Sequence, residues 1–297
     1  MFETLQNLMA PASVIFVVAI MFSTGLSLKV DDLKKTLVGW QFFVRLLLVN
    51  FLVVPGTMLL FVQLAKVAHP YSTGMLIHAC VAGAPLIMAL TQLSKNPVAL
   101  GATIQLVLMV ATVVIMPLLL PAVLGIEDVS SSALIEPLLL QMVFPLAIGM
   151  VVFNVAPTLT AKIRPLVRTL ANAVMMFFLV LSVVAFGPYF GDLQLWKGVL
   201  VGMLALTVAF YVGYGTGLDG GGAKSQLGAL GTAQRNTAAG VISAMAFDEP
   251  LVFITFVFIN SFMMFVLMAF AKRFGAGKTM PLLSALLDQR PVAAQEQ

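Results

Sequence analysis

Hydrophobic positions in this chain run on for long stretches instead of alternating with polar ones. Charge-free runs of about 20 residues recur from end to end, the length a helix needs to cross a hydrocarbon core. Such segments have no polar face, which excludes a water-soluble helical bundle. Continuous apolar runs, rather than residue-by-residue alternation, also point away from a barrel. The pattern predicts an all-α integral membrane protein with nine transmembrane helices at 9–28, 37–65, 72–93, 97–124, 133–155, 166–187, 194–216, 224–246 and 249–272. Asn96-Pro97 and Glu249-Pro250 read as helix starts, with proline at the first helical position. LDGGGAK, 218–224, reads as a flexible turn.

Composition agrees with this pattern. Of 297 residues, 61% are hydrophobic and 9% charged, against about 25% charged in soluble domains. The single cysteine, Cys80, allows no intrachain disulfide, and no Cys or His set has metal-ligand spacing. The opening MFETLQNLMAPAS lacks the basic region of a secretory signal, so the first apolar run is expected to be retained.

Basic residues sort by membrane side. One set of connections holds Lys29, Lys34, Lys35, Lys95, Lys162, Arg164, Arg168, Lys224, Lys272, Arg273, Lys278 and Arg290, and the other holds Lys66 and Lys197. That is 12 against 2, which predicts a plasma (inner) membrane protein with its N-terminus outside, its C-terminus inside and a cytoplasmic tail at 275–297. The net charge of +4 is therefore read as topology, with no nucleic-acid partner; the bilayer is the implied one.

Two basic residues remain inside predicted spans, Arg45 and Arg235. Arg45 lies near a span end, where snorkelling is expected. Arg235 sits in GTAQRNTAAG, 231–240. Arginine at mid-membrane costs about 2.5–3.5 kcal/mol on insertion scales. Snorkelling, pairing with helix carbonyls and anion binding in a water-filled cavity all remain open for it. Gln234, Arg235, Asn236 and Thr237 are consecutive and would point all around a helix, so an interrupted helix buried among others is expected, with Gly228, Gly231 and Gly240 at a close crossing. Gly83, Ala84 and Pro85 predict a second interruption in the third segment. Two interrupted segments at corresponding places point to a transporter site and an inverted repeat pairing segments 2–4 with 7–9. His78 is expected to be a packed histidine.

The residues also resemble a known family. MFSTGLSLKVDD (21–32), ALTQLSKNPVALGATIQLVLMVATVVIMPLLLP (89–121) and AQRNTAAG are similar, in order and spacing, to motifs of the bile acid:sodium symporter family. The resemblance implies two inverted repeats, here four plus five helices because the first helix of ten-helix members would be missing. It implies a panel domain (9–28, 133–155, 166–187) and a core domain (37–124, 194–272) within one transporter domain over 1–297. It implies organic-anion substrates carried by alternating access. Carried over by position, substrate contacts are expected from Asn236, Thr237 and Asn260, with Arg235 and Pro85 added at the crossing. Ion contacts are expected from Asn50, Thr232, Gln234 and Gln105. The family's sodium-binding glutamate, however, falls on Gly231, its first-crossing Ser-Asn pair on Ile87 and Met88, and two hydroxyl ligands on Gly101 and Gln105.

These departures set the expectation: a secondary transporter of a small organic anion, with the Arg235 guanidinium in the role of a sodium ion. No other cofactor is implied. A sodium symporter using one residual site is the alternative, and a non-transporting sensor of an organic anion is an alternative of another class. No acid pair, Ser/His arrangement or metal cluster suggests an enzyme.

Overall fold

The computed structural model describes residues 8–29, 31, 36–125, 131–247, 249–278 and 280. Helix α1 spans Met9–Gly25, and α2 runs over Trp40–Ala65. The next segment is divided into α3, Tyr71–Cys80, and α4, Ile87–Leu93. Helices α5, Val98–Leu124, α6, Leu134–Val155, α7, Pro157–Ala185, and α8, Leu193–Gly215, follow. A second divided segment gives α9, Ala223–Ala233, and α10, Thr237–Met245, before α11, Pro250–Gly275. Six of these helices, α2, α5, α6, α7, α8 and α11, are long and apolar enough to cross a membrane. Leu64, Val114, Leu118, Val155, Leu166, Leu200 and Phe265 are exposed. An outer surface of this kind suits lipid rather than water.

Helix α1 lies mainly against α6 and α7, while α8 packs on α9 and α2, and α11 packs on α3. At the α1–α6 crossing the backbones nearly touch: a Cβ added at Gly25 would come within 2.2 Å of the Leu146 carbonyl oxygen. Small residues at such crossings let apolar helices approach closely without a hydrophobic driving force. Helices α2 and α6 each contain a π-helical turn, Val49–Val53 and Leu138–Val143. Each turn lies just ahead of a proline, Pro55 or Pro145. A proline has no N–H for the carbonyl four residues back, so the helix widens there.

The third and eighth expected segments are each two half-helices, interrupted at 81–86 and 234–236, where Gly83, Ala84 and Pro85 and the run Gln234 to Thr237 predicted it. One boundary is corrected. The sixth starts at Pro157, not at 166, because Pro157 opens the helix and Pro165 is carried inside it. Lys162, Arg164 and Arg168, counted as loop charges, are therefore helical. Lys34, Lys35, Arg290 and the tail beyond Met280 lie outside the described residues.

Candidate functional site

The site begins where the two divided segments meet. After Cys80 the chain is non-helical up to Leu86. Gly83 takes φ +79° there, and a Cβ on it would lie 2.2 Å from the Met109 nitrogen of α5, so conformation and space both require glycine. The freed backbone groups of Ala82 are met by one side chain. Its amide donates to Thr112 Oγ1 at 2.8 Å, and the same hydroxyl donates to the Ala82 carbonyl at 2.9 Å. In the second break, Asn236 caps α10 by accepting from the Ala238 and Ala239 amides at 3.1 and 3.2 Å. Its own backbone amide donates to the Val81 carbonyl at 3.4 Å, and its side-chain amide donates to the Gly83 carbonyl at 3.2 Å. The two breaks are thus bonded to each other.

Arg235 lies behind this crossing, wholly buried, and is the largest of the fully buried side chains. Its Nε donates to the His78 carbonyl at 3.0 Å, and Nη2 donates to the Ala79 carbonyl. Nη1 donates to Asn50 Oδ1 at 2.6 Å and to the Thr232 carbonyl at 3.1 Å. All of these acceptors are uncharged oxygens. Three are carbonyls in the last turns of α3 and α9, where the peptide dipoles leave partial negative charge. A hydrogen bond to a charged group is worth about 1.5–3 kcal/mol, so two or three of them offset the insertion cost of about 2.5–3.5 kcal/mol. The π-helical turn places Asn50 in this cluster, where its amide also donates to Thr232 Oγ1 at 3.1 Å and to the Leu46 carbonyl at 2.9 Å.

Positions flagged by the family resemblance surround this cluster. A Cβ at Gly231 would meet Ile87 Cδ1 at 2.9 Å and Ile104 Cγ2 at 3.0 Å, hydrocarbon on both sides. A Cβ at Gly101 would collide with Thr91 Oγ1 at 2.1 Å. Gln105 is buried with neither polar side-chain atom bonded, and Gln234 Oε1 and Asn260 Oδ1 are likewise unpartnered. His78 packs its ring on Phe256, centroids 5.2 Å apart, with both ring nitrogens unbonded.

A cavity of about 190 Å³ lies between α1 and α7 on one side and α4, α10 and α11 on the other. Of the residues expected at the site, Pro85, Gln234, Thr237 and Asn260 line it, and Asn260 donates to Thr237 Oγ1 at 2.9 Å. Arg235, Asn236, Asn50, Thr232 and Gln105 do not line it. Arg235 and Asn236 belong to the crossing itself, with their polar atoms taken up by backbone and amide partners.

The cations of the cavity are instead Arg164 and Arg168, joined by Asn172 of the same helix, by Ser23 and Thr24 of α1, and by Ser27 just past the end of α1. Sequence reading missed them by placing the arginines in a loop. Their spacing of four residues, continued at Asn172, was the signal available, since such positions share one helix face. Arg45, the other arginine inside a predicted span, is half-buried and donates from Nε to the Thr216 carbonyl at 2.9 Å, just past the end of α8.

At the start of α8, Asp192 caps the helix by accepting from the Gln194 amide at 2.8 Å, and it also accepts from the Tyr71 hydroxyl. The Tyr71 hydrogen bond holds the Asp192 carboxyl below the usual carboxylate range. Burial, together with the Asp192 bond and charge, pushes the Tyr71 phenol up to about 12. The pair ties the start of α3 to the start of α8.

The Sodium Bile acid symporter family matches residues 14–192, more than half of the chain. The chain belongs to this family. As a member of the sodium bile acid symporter family with several long apolar helices, it is a multi-pass membrane protein of a transporter class. The match ends at Asp192, so the first break lies within it and the second, with Arg235, beyond it. No curated protein matches the chain. Among the described residues there is no His/Cys/Asp/Glu cluster able to hold a metal ion.

Proposed function

We propose that the chain is a secondary transporter of a small organic anion in which Arg235 takes the electrostatic place of a sodium ion. In this reading the chain crosses the membrane nine times, with its N-terminus outside and its C-terminus in the cytoplasm. Helices α1, α6 and α7 form a panel, and the remaining helices form a core built on an inverted repeat. The anion sits between them against Thr237, Asn260, Gln234 and Pro85, and relative motion of panel and core alternates its access.

One observation carries the proposal: the Arg235 guanidinium is wholly buried and bonded to the His78, Ala79 and Thr232 carbonyls and to Asn50 Oδ1. A hard cation would use the same oxygens, and they are already engaged. A family-type sodium ion therefore does not fit among these oxygens. The position that would hold its carboxylate, Gly231, also faces Ile87 and Ile104. A fixed guanidinium neutralises the helix ends permanently, so the crossing needs no ion to assemble.

A second reading, symport through one residual sodium site, is favoured by the unbonded buried amides of Gln105 and the free Oε1 of Gln234. Counterflow in proteoliposomes tests both readings, with organic anions inside and labelled anion outside, in sodium-free choline buffer. Exchange without sodium that is lost in Asn260→Ala supports the uniport reading. Exchange only with sodium present supports the residual-site reading. Binding without any exchange leaves a sensor.

A further inference from the structure

We propose that Arg164 and Arg168 form a seat for a compact dianion, which narrows the substrate from an organic anion to one bearing two negative charges beside a short apolar body. The inference rests on the reading of the cavity as the transport site. It starts from the geometry of α7. Arg164, Arg168 and Asn172 follow one another at four-residue steps, and all three line the cavity, with Met175 and Phe178 further along the same helix. Among the described residues no carboxylate lines the cavity, so its two cations have no counter-charge there. Arg235 adds none of its own to the ligand, because its donors are engaged in the crossing.

Like charges one helical turn apart repel. A single negative charge between them leaves one guanidinium uncompensated, whereas two charges satisfy both. Guanidinium suits this task because its planar fork takes two oxygens of a carboxylate or phosphate at once. The remainder of the lining is apolar: Phe16 stacks on Phe178 with centroids 5.2 Å apart, beside Ile20, Met175 and Met264. The volume, about 190 Å³, is below the roughly 300 Å³ at which pockets for drug-sized ligands begin. Charge, lining and size together select a small dicarboxylate or phosphate monoester over a large monoanion.

Three probes with the same ring separate these possibilities on the purified full-length chain: benzoate, phthalate and phenyl phosphate, titrated calorimetrically at constant ionic strength. At pH 7.5 phthalate or phenyl phosphate, or both, should bind on the order of tenfold more tightly than benzoate, the scale expected of one added charge-assisted contact. Which of the two is preferred identifies a dicarboxylate or a phosphate monoester as the source. If phenyl phosphate is preferred, its advantage should vanish at pH 5, since a phosphate monoester loses its second charge near pH ~6. In Arg164→Gln and Arg168→Gln the ratio of dianion to benzoate affinity should fall close to one, while Arg168→Lys should retain part of it. The melting temperature without ligand reports the folding of each variant separately. Equal binding of benzoate and both dianions to the unmodified chain overturns the proposal, as does a preference that survives both glutamine substitutions. In either case anions still bind, and the transporter reading stands. Failure of all three probes to bind also overturns the seat, and the counterflow assay then decides the transporter reading on its own.

Discussion

The two breaks that form the crossing are satisfied in different ways. The first, between α3 and α4, contributes backbone acceptors and no charge: Val81, Gly83 and the helix-end carbonyls of His78 and Ala79. Its local repair comes from a neighbouring helix, through the Thr112 hydroxyl. The second break, between α9 and α10, contributes the donors: the Asn236 amides and the Arg235 guanidinium. One half of the site therefore presents partial negative charge, and the other supplies a fixed positive charge to meet it. A crossing built this way carries its own counter-ion, at the cost of holding one arginine permanently inside.

The largest effect should come from removing that charge. Arg235→Ala leaves the α3 and α9 carbonyls and Asn50 Oδ1 without their donor, and each buried acceptor left unsatisfied costs about 1–3 kcal/mol. The melting temperature in detergent should fall sharply. Arg235→Lys should recover only part, because an ammonium is a point charge with three donors and no planar fork. Stability unchanged in Arg235→Ala would show that the two breaks hold together without it.

A smaller loss should follow at the first break. Thr112→Val keeps the shape of the side chain but strands the buried Ala82 amide, which costs about 1–3 kcal/mol. The effect should be local: hydrogen exchange at Ala82 should accelerate while exchange at Ala238 and Ala239, capped by Asn236, stays slow. Equal acceleration at both breaks would mean that they open as one unit and that the contrast between them is only descriptive.

The smallest effect concerns the tie between Tyr71 and Asp192, outside the crossing. The Asp192 pKa is depressed, so its contribution is complete above the unfolded value of about 3.9 and is lost as the pH falls through the lower folded value. The Tyr71 pKa is raised to about 12, so its contribution is complete below about 10 and is lost as the pH rises toward 12. The stability difference between the unmodified chain and Tyr71→Phe should therefore be flat between about pH 5 and 9 and shrink at both extremes. A difference that changes through pH 6–8 would point to another titrating group.

Much of this arrangement could be read from residue order. Gly83 with Pro85, and four consecutive polar residues at 234–237, are local signals, and each marks a place where the helix stops. The polarity of Arg235 was equally plain. Its direction was not, because the oxygens it meets come from Asn50, His78 and Ala79, more than 150 positions away in the chain. Thr112 was invisible for the same reason: a threonine in an apolar helix carries no mark of the amide it serves. Arg164 and Arg168 were misplaced because Lys162, Pro165 and the arginines together have the composition of a loop. Only the packing of α7 beside the cavity brings them to its lining.

The most direct test of the built-in cation is a thermal melt of the purified chain, without substrate, across a sodium chloride titration with choline chloride holding ionic strength constant. A bound ion stabilises the folded state by mass action. If Arg235 already fills the crossing, the melting temperature should not depend on which cation is present. A saturable rise with sodium alone would contradict the account, because it would require a sodium site that the guanidinium has not replaced.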